Sequence, residues 1–224
     1  MARRNLLILA VIGLAACASP PLSMQERGPT RSVVTASQRM MYDFFDASTW
    51  DVFTVDDPPA RFAVEEGALV GSVAADQGYL MSTNHVRHED VLINATVQQT
   101  EGLLGNGFGV VCRADAQGDG YYFLISSDGE FTISAATPVR DDLFQLIPWQ
   151  HHSVIRQGVY ANDIRAVCAG NYLAMFINDV FVAEVFDDEF TSGQLGLVVG
   201  AVGQPAAVRF DNILVRDAIL RGNR

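Results

Sequence analysis

The stretch AGNYLAMFINDVFVAEVF, Ala169 to Phe186, holds two apolar runs on either side of Asn178-Asp179. Asn and Asp tolerate positive φ, so this pair between aromatic and β-branched runs signals a hairpin, and Gly170-Asn171 supplies a second turn ahead of Tyr172. A turn at Gly170-Asn171 sets Cys168 beside Leu173. Side chains alternate across a strand, so Leu173, Met175 and Ile177 then share the face of Cys168. The stretch carries no nucleophile, metal cluster or phosphate loop and reads as scaffold.

Outward from this hairpin the same texture continues in both directions. RFAVEE, ALVGSVA, VLINATVQQT, GFGVVCRA, YYFLISS, EFTISAA, DIRAVCAG, QLGLVVG and AVRFDNILVRD are strand-length runs, separated by turn clusters such as AQGDG after Arg113 and SSDG before Glu130. Helical periodicity is weak and no repeat of fixed period occurs. About a dozen short strands in succession predict an all-β, two-sheet antiparallel sandwich or barrel. If the turn from Asp115 to Gly120 pairs Ala114 with Tyr121, then Arg113 stands opposite Tyr122, and Cys112 faces Phe123 on the apolar side. Arg113 and Tyr122 are therefore expected on an outward face, with both cysteines pointing inward.

The N-terminus has a different character. In MARRNLLILAVIGLAAC, Arg3 and Arg4 precede an apolar run too short to span a bilayer but suited to a signal-peptide core. The run ends in Leu14-Ala15-Ala16-Cys17, which is similar to the lipobox of bacterial lipoproteins, where the cysteine thiol receives a diacylglycerol; cleavage after Ala18, with loss of Cys17, is the alternative. More than one acyl chain gives stable anchoring. Ala18 in place of Asp after the cysteine resembles lipoproteins sorted to an outer membrane. The expected location is the cell envelope, with the membrane as a partner through the lipid. Residues 18–39 are rich in Pro, Ser and Thr and read as a flexible tether; residues 40–217 form the sandwich and 218–224 a tail.

Charge narrows the choice of partner. The chain has 15 basic residues, all Arg, against 26 acids. Loss of Arg3 and Arg4 leaves 13 against 26, a net charge of −13, which excludes nucleic acid and disfavours anionic headgroups as partners. With Cys17 assigned to lipid, Cys112 and Cys168 remain as an even pair in an exported chain, for which a disulfide is expected; two buried thiols are the alternative.

The order of motifs resembles a known family. YDFFDASTW, GFGVVCRADAQGDGYYFLISSDGEFTI, the 163–199 stretch and the closing VRFDNILV resemble the concanavalin A-like lectin/glucanase superfamily, in its bacterial laminin-G-like branch. The resemblance covers about Met40 to Asp217. Asp188, Phe190, Gly193, Gly196 and Leu197 match the lead-in to a GxxGL strand, and Phe210, Asp211 and Asn212 match the closing strand. The resemblance implies a two-sheet jelly roll and a relation to glycans, within a superfamily that holds lectins, glycosidases and adhesive modules. It extends to the 3-keto-disaccharide hydrolase domain. The paired-carboxylate motif of the glucanases, Glu-x-Asp-x-x-Glu, is absent.

Other constellations are weaker. His85 and His88 are three apart, which places them on opposite faces of a strand and suits a solvated segment better than a metal site. His151-His152 also point apart. Asp115 and Asp119 in DAQGDG have the carboxylates of a calcium loop without its later bidentate Glu, so calcium is a possible cofactor while turn chemistry explains the same residues. For a sugar, an aromatic platform with planar hydrogen-bonding groups is required. Arg113 and Tyr122 are the candidate pair, with Trp149 or Trp50 as stacking surface. The expected function is a non-catalytic, lipid-anchored envelope domain that binds a glycan or a protein. A sugar-active hydrolase and a structural envelope component are the alternatives.

Overall fold

The computed structural model describes residues 28–42, 49–139 and 143–221. Cys17, the signal-peptide and tether residues up to 27, and most of the YDFFDASTW motif lie outside them. The strands are β1 (Ser32–Tyr42), β2 (Phe53–Asp56), β3 (Pro59–Glu65), β4 (Ala68–Val73), β5 (Gly78–His88), β6 (Val91–Glu101), β7 (Gly107–Ala114) and β8 (Gly120–Ser126). They continue with β9 (Glu130–Ala136), β10 (Phe144–His151), β11 (Asn162–Ala169), β12 (Tyr172–Ile177), β13 (Val180–Phe186), β14 (Gly193–Ala201) and β15 (Ala206–Arg221). Every pairing is antiparallel. One sheet has nine strands in the order β13-β12-β11-β6-β15-β4-β3-β2, with β1 beside the far half of β15; the other has six, in the order β10-β9-β8-β7-β14-β5.

The hairpin of Ala169 to Phe186 forms as its sequence requires. Ile177 pairs with Val180 across Asn178 and Asp179, whose φ values are 49° and 66°. Two residues at positive φ give a turn whose twist matches that of the strands. Cys168 pairs with Leu173, and Leu173, Met175 and Ile177 all enter the core between the sheets. There they meet Phe108, Val110, Phe123 and Phe131 of the six-stranded sheet and Phe62 and Phe210 of the other. Trp50 is 1% exposed within this core, so it offers no stacking surface. Cys112 of β7 and Cys168 of β11 are bonded, and so join the two sheets at one end.

Two boundaries differ from the sequence reading. Ser32 to Arg39, read as tether, belong to β1, and Ala218 to Arg221, read as tail, extend β15; the two segments pair from Ser32 with Arg221 to Thr35 with Ala218. Val33 and Leu220 cover a second apolar cluster of Val167, Ala169, Tyr172 and Ala174 on the outer face of the larger sheet. That burial stabilises a strand whose polar residues conceal its period.

Arg113 is the larger correction. It does not stand outward beside Tyr122 but is 2% exposed. Val111, not Arg113, pairs with Tyr122, and between Val111 and Ala114 strand β7 gains one residue relative to β14. Arg113 sits in this bulge at φ 57°. The bulge turns its side chain into the end of the sandwich, as bulges re-aim side chains elsewhere. Its Nε donates to Glu89 O at 3.0 Å, and Nη1 donates to Gly170 O at 2.9 Å and Phe190 O at 2.6 Å. Nη2 pairs with Asp90 Oδ1 at 3.1 Å. Burial works against the guanidinium charge and Asp90 opposes that effect. The residue is an architectural clamp among three loops.

Candidate binding groove

The outward face of the six-stranded sheet is the other half of the molecule's chemistry. On β7, β8 and β14 the core takes Phe108, Val110, Phe123, Leu197 and Val199, so Val111, Leu124, Tyr122 and Val198 face outward. These outward residues are nonetheless buried, because Met81 from β5 and Leu143 and Trp149 from the opposite edge lie over them. The face has its own apolar layer, supplied by its two edges.

Glycines let those edge side chains lie flat. A Cβ on Gly200 would stand 2.6 Å from the Tyr79 ring, and one on Gly107 would stand 2.7 Å from the Tyr79 hydroxyl and 3.2 Å from Trp149. Tyr79 therefore reaches in from β5 and Trp149 from β10, and they converge above Gly107. Tyr79 is 41% exposed, with its ring set edge-on to Tyr122 at 6.3 Å. Tyr122 is buried and donates its hydroxyl to Gly118 O at 2.5 Å, which pins the β7–β8 turn above the sheet. Burial first, and Asp119 and Asp115 second, push its phenol up to about 12, so it remains a neutral donor at any ordinary pH. Tyr79 is pushed up by burial alone.

Between the pinned turn and β5 lies an open cleft of about 640 Å³, bordered by Tyr79, Met81, Gln117, Asp119, Tyr122 and Leu143. That volume falls in the range of small-molecule sites. Asp115 closes the turn: its Oδ1 accepts from Gln117 N at 2.8 Å and Asp119 N at 3.0 Å. The two acids thus have different roles, one capping the backbone and the other bordering the cleft. No group of three or more metal-ligating side chains occurs among the described residues.

Of the residues singled out in sequence, Tyr122 and Trp149 come together on this face with the turn of Asp115 and Asp119, while Arg113 and Trp50 do not. His85 is exposed and contacts Asp51 at 3.1 Å, whereas His88 is buried. Tyr79 was missed. Its one signal was a bulky aromatic directly after Gln77-Gly78 on a strand opposite the small Gly200.

The groove-facing positions of β7, β8 and β14 carry no carboxylate. Glycoside hydrolysis by two carboxylates needs a pair flanking the scissile bond at about 5–9.5 Å from one another. Glu130 at the start of β9 and Asp119 in the turn are at opposite ends of this face.

Two antiparallel sheets of this order, with a groove on the smaller, define an all-β jelly-roll sandwich. No family model and no curated protein matches the sequence. Solved structures do match the fold. The carbohydrate-binding module CBM66 from Bacillus subtilis aligns with a TM-score of 0.61 at 14% identity, over 75% of this chain and 96% of that one. A prokaryotic β-1,3-1,4-glucanase (lichenase) derived from a mouse hindgut metagenome aligns at 0.58 and 11% identity, over 81% and 99%. The catalytic domain of an endo-1,3-β-glucanase (laminarinase) from Thermotoga petrophila RKU-1 aligns at 0.55 and 10% identity, over 86% and 100%. At these identities the likeness establishes the fold.

Proposed function

We propose that this chain is an envelope lipoprotein, acylated at Cys17, whose jelly-roll domain binds glycan without cleaving it. The observation that carries the glycan reading is the pair Tyr79 and Trp149, which converge over Gly107 on a sheet face whose central strands bear no carboxylate, with Tyr79 also bordering the cleft. Sugar rings present apolar C–H faces, and flat aromatic side chains beside hydrogen-bonding groups match them. The similarity of fold to a carbohydrate-binding module and to two glucanases supports the same substrate class. The residues from Asp188 to Leu197 support placement in the laminin-G-like branch.

The anchor rests on the apolar run of Leu6 to Ala16 ending at Cys17, and it places the domain in the cell envelope, facing the periplasm or the outer membrane. Two measurements test the whole. Labelled palmitate is expected on the wild type and not on Cys17→Ser; absence of label on the wild type, or a Cys17→Ser protein that is still processed and still membrane-bound, would refute the anchor. On a glycan array run with and without calcium, wild type is expected to bind and Trp149→Ala to lose at least about ten-fold in affinity, the scale of one sugar-stacking aromatic. Absence of binding to every glycan would refute the reading, and calcium dependence would assign the ion a role at the turn of Asp115 and Asp119.

A further inference from the structure

Asp119 is a buried acid that the fold itself does not use. It is 9% exposed, shielded by its own turn and Tyr122 rather than by depth. Its backbone N donates to Asp115 Oδ1 and its carbonyl accepts from Asp115 N at 2.9 Å, so the turn is closed by the backbone and by the neighbouring acid. Among the described residues nothing donates to the Asp119 carboxylate, and no cation borders the cleft. Buried carboxylates are normally paired, because an unpaired one loses its hydration without compensation. Burial and the nearby Asp115 both push its pKa up. The turn therefore presents a carboxylate with no protein donor to an open cleft, beside an aromatic floor.

We infer that Asp119 is the hydrogen-bond acceptor for ligand hydroxyls in this groove, and that the ligand is an uncharged glycan. The inference rests on the glycan reading above and adds the chemistry that selects among glycans. The two oxygens of one carboxylate accept from the two hydroxyls of a vicinal diol, in a charge-assisted pair that a water-poor site strengthens. Tyr79 supplies the apolar surface beneath the ring. Among the described residues, uronate, sulfate and sialate groups find Asp119 and Asp115 and no positive partner, so like charge disfavours them.

The test uses the mature protein on an array of neutral, uronate-containing, sulfated and sialylated oligosaccharides at pH 7 in EDTA, with wild type, Asp119→Asn, Asp119→Ala and Tyr79→Ala. Binding is expected on neutral glycans alone. Loss of a charged hydrogen bond weakens binding at least about ten-fold, so both Asp119 variants are expected to fall that far. Thermal melts serve as the second readout. Asp119→Asn is expected to melt higher than wild type at pH 7 and level with it below the ordinary carboxyl range: a raised folded-state pKa means that stability falls as pH climbs from the unfolded value through the folded one, and Asn removes that loss. Retained binding by both Asp119 variants with loss in Tyr79→Ala would overturn the role of Asp119 and leave the groove standing. Equal binding of acidic glycans would overturn the charge selection. Binding that EDTA abolishes would assign the carboxylate to a cation, and failure to bind any glycan would remove the glycan reading and this inference together.

Discussion

Arg113 and His88 illustrate how a side chain's meaning depends on where a bulge sends it. Arg113 satisfies three backbone carbonyls and one carboxylate at the end of the sandwich. Removing one partner from a buried charged network leaves the others unsatisfied, at roughly 3 kcal/mol or more. Arg113→Ala is expected to lower the urea midpoint accordingly, while residual glycan binding by the folded fraction stays at the wild-type affinity. His88 is held neutral: burial lowers its pKa and Asp217 offsets that in part. A histidine with a lowered folded-state pKa stabilises fully above its unfolded value, and that contribution is lost as pH falls below about 6.5. Melts from pH 7.5 to 5 are expected to show this slope in wild type and a smaller one in His88→Gln.

At the scale of elements, legibility followed the regularity of the strands. The hairpin β12–β13, its turn at Asn178-Asp179 and the inward face of Cys168 were readable, because an unbroken alternation flanks residues that accept positive φ. The disulfide of Cys112 and Cys168 followed from compartment and parity. The groove was only half readable. Tyr79 and Trp149 stand on β5 and β10, the two edges of the smaller sheet, and both strands break their period: β10 shifts register twice and β5 once, near His85 at φ 58°. A period-two pattern cannot be followed through such shifts, and in β7 the same kind of shift sent Arg113 to the wrong side. Gly107 and Gly109 separate groove from scaffold. Gly107→Ala meets the movable end of Tyr79, so weaker glycan binding with little change in melting temperature is expected. At Gly109 a Cβ would lie 2.1 Å from Phe123 O, so Gly109→Ala is expected to destabilise the sheet by roughly 2 kcal/mol or more in a urea titration.

For the molecule as a whole, the bridge between Cys112 and Cys168 closes a loop with a sequence separation of 56. Chain-entropy arguments give about 4 kcal/mol for a loop of that length. A Cys112→Ala/Cys168→Ala protein is expected to lose stability on that scale in a denaturant titration, while its six-stranded face keeps its ligand. Net charge was legible without any structure, since it depends on counts alone. How Tyr79 and Trp149 meet over Gly107 was not, because it depends on edge strands that only the folded sheet brings together.

The antiparallel pairing of β1 with β15 has a mechanical side. A pull applied at Ser32 along the axis of β1 would load its antiparallel pairs with β15 in shear, across the hydrogen bonds between them. Loaded in this shear direction, the registered pairs from Ser32 to Tyr42 share the force and must yield together, where a peeled strand would release them one at a time.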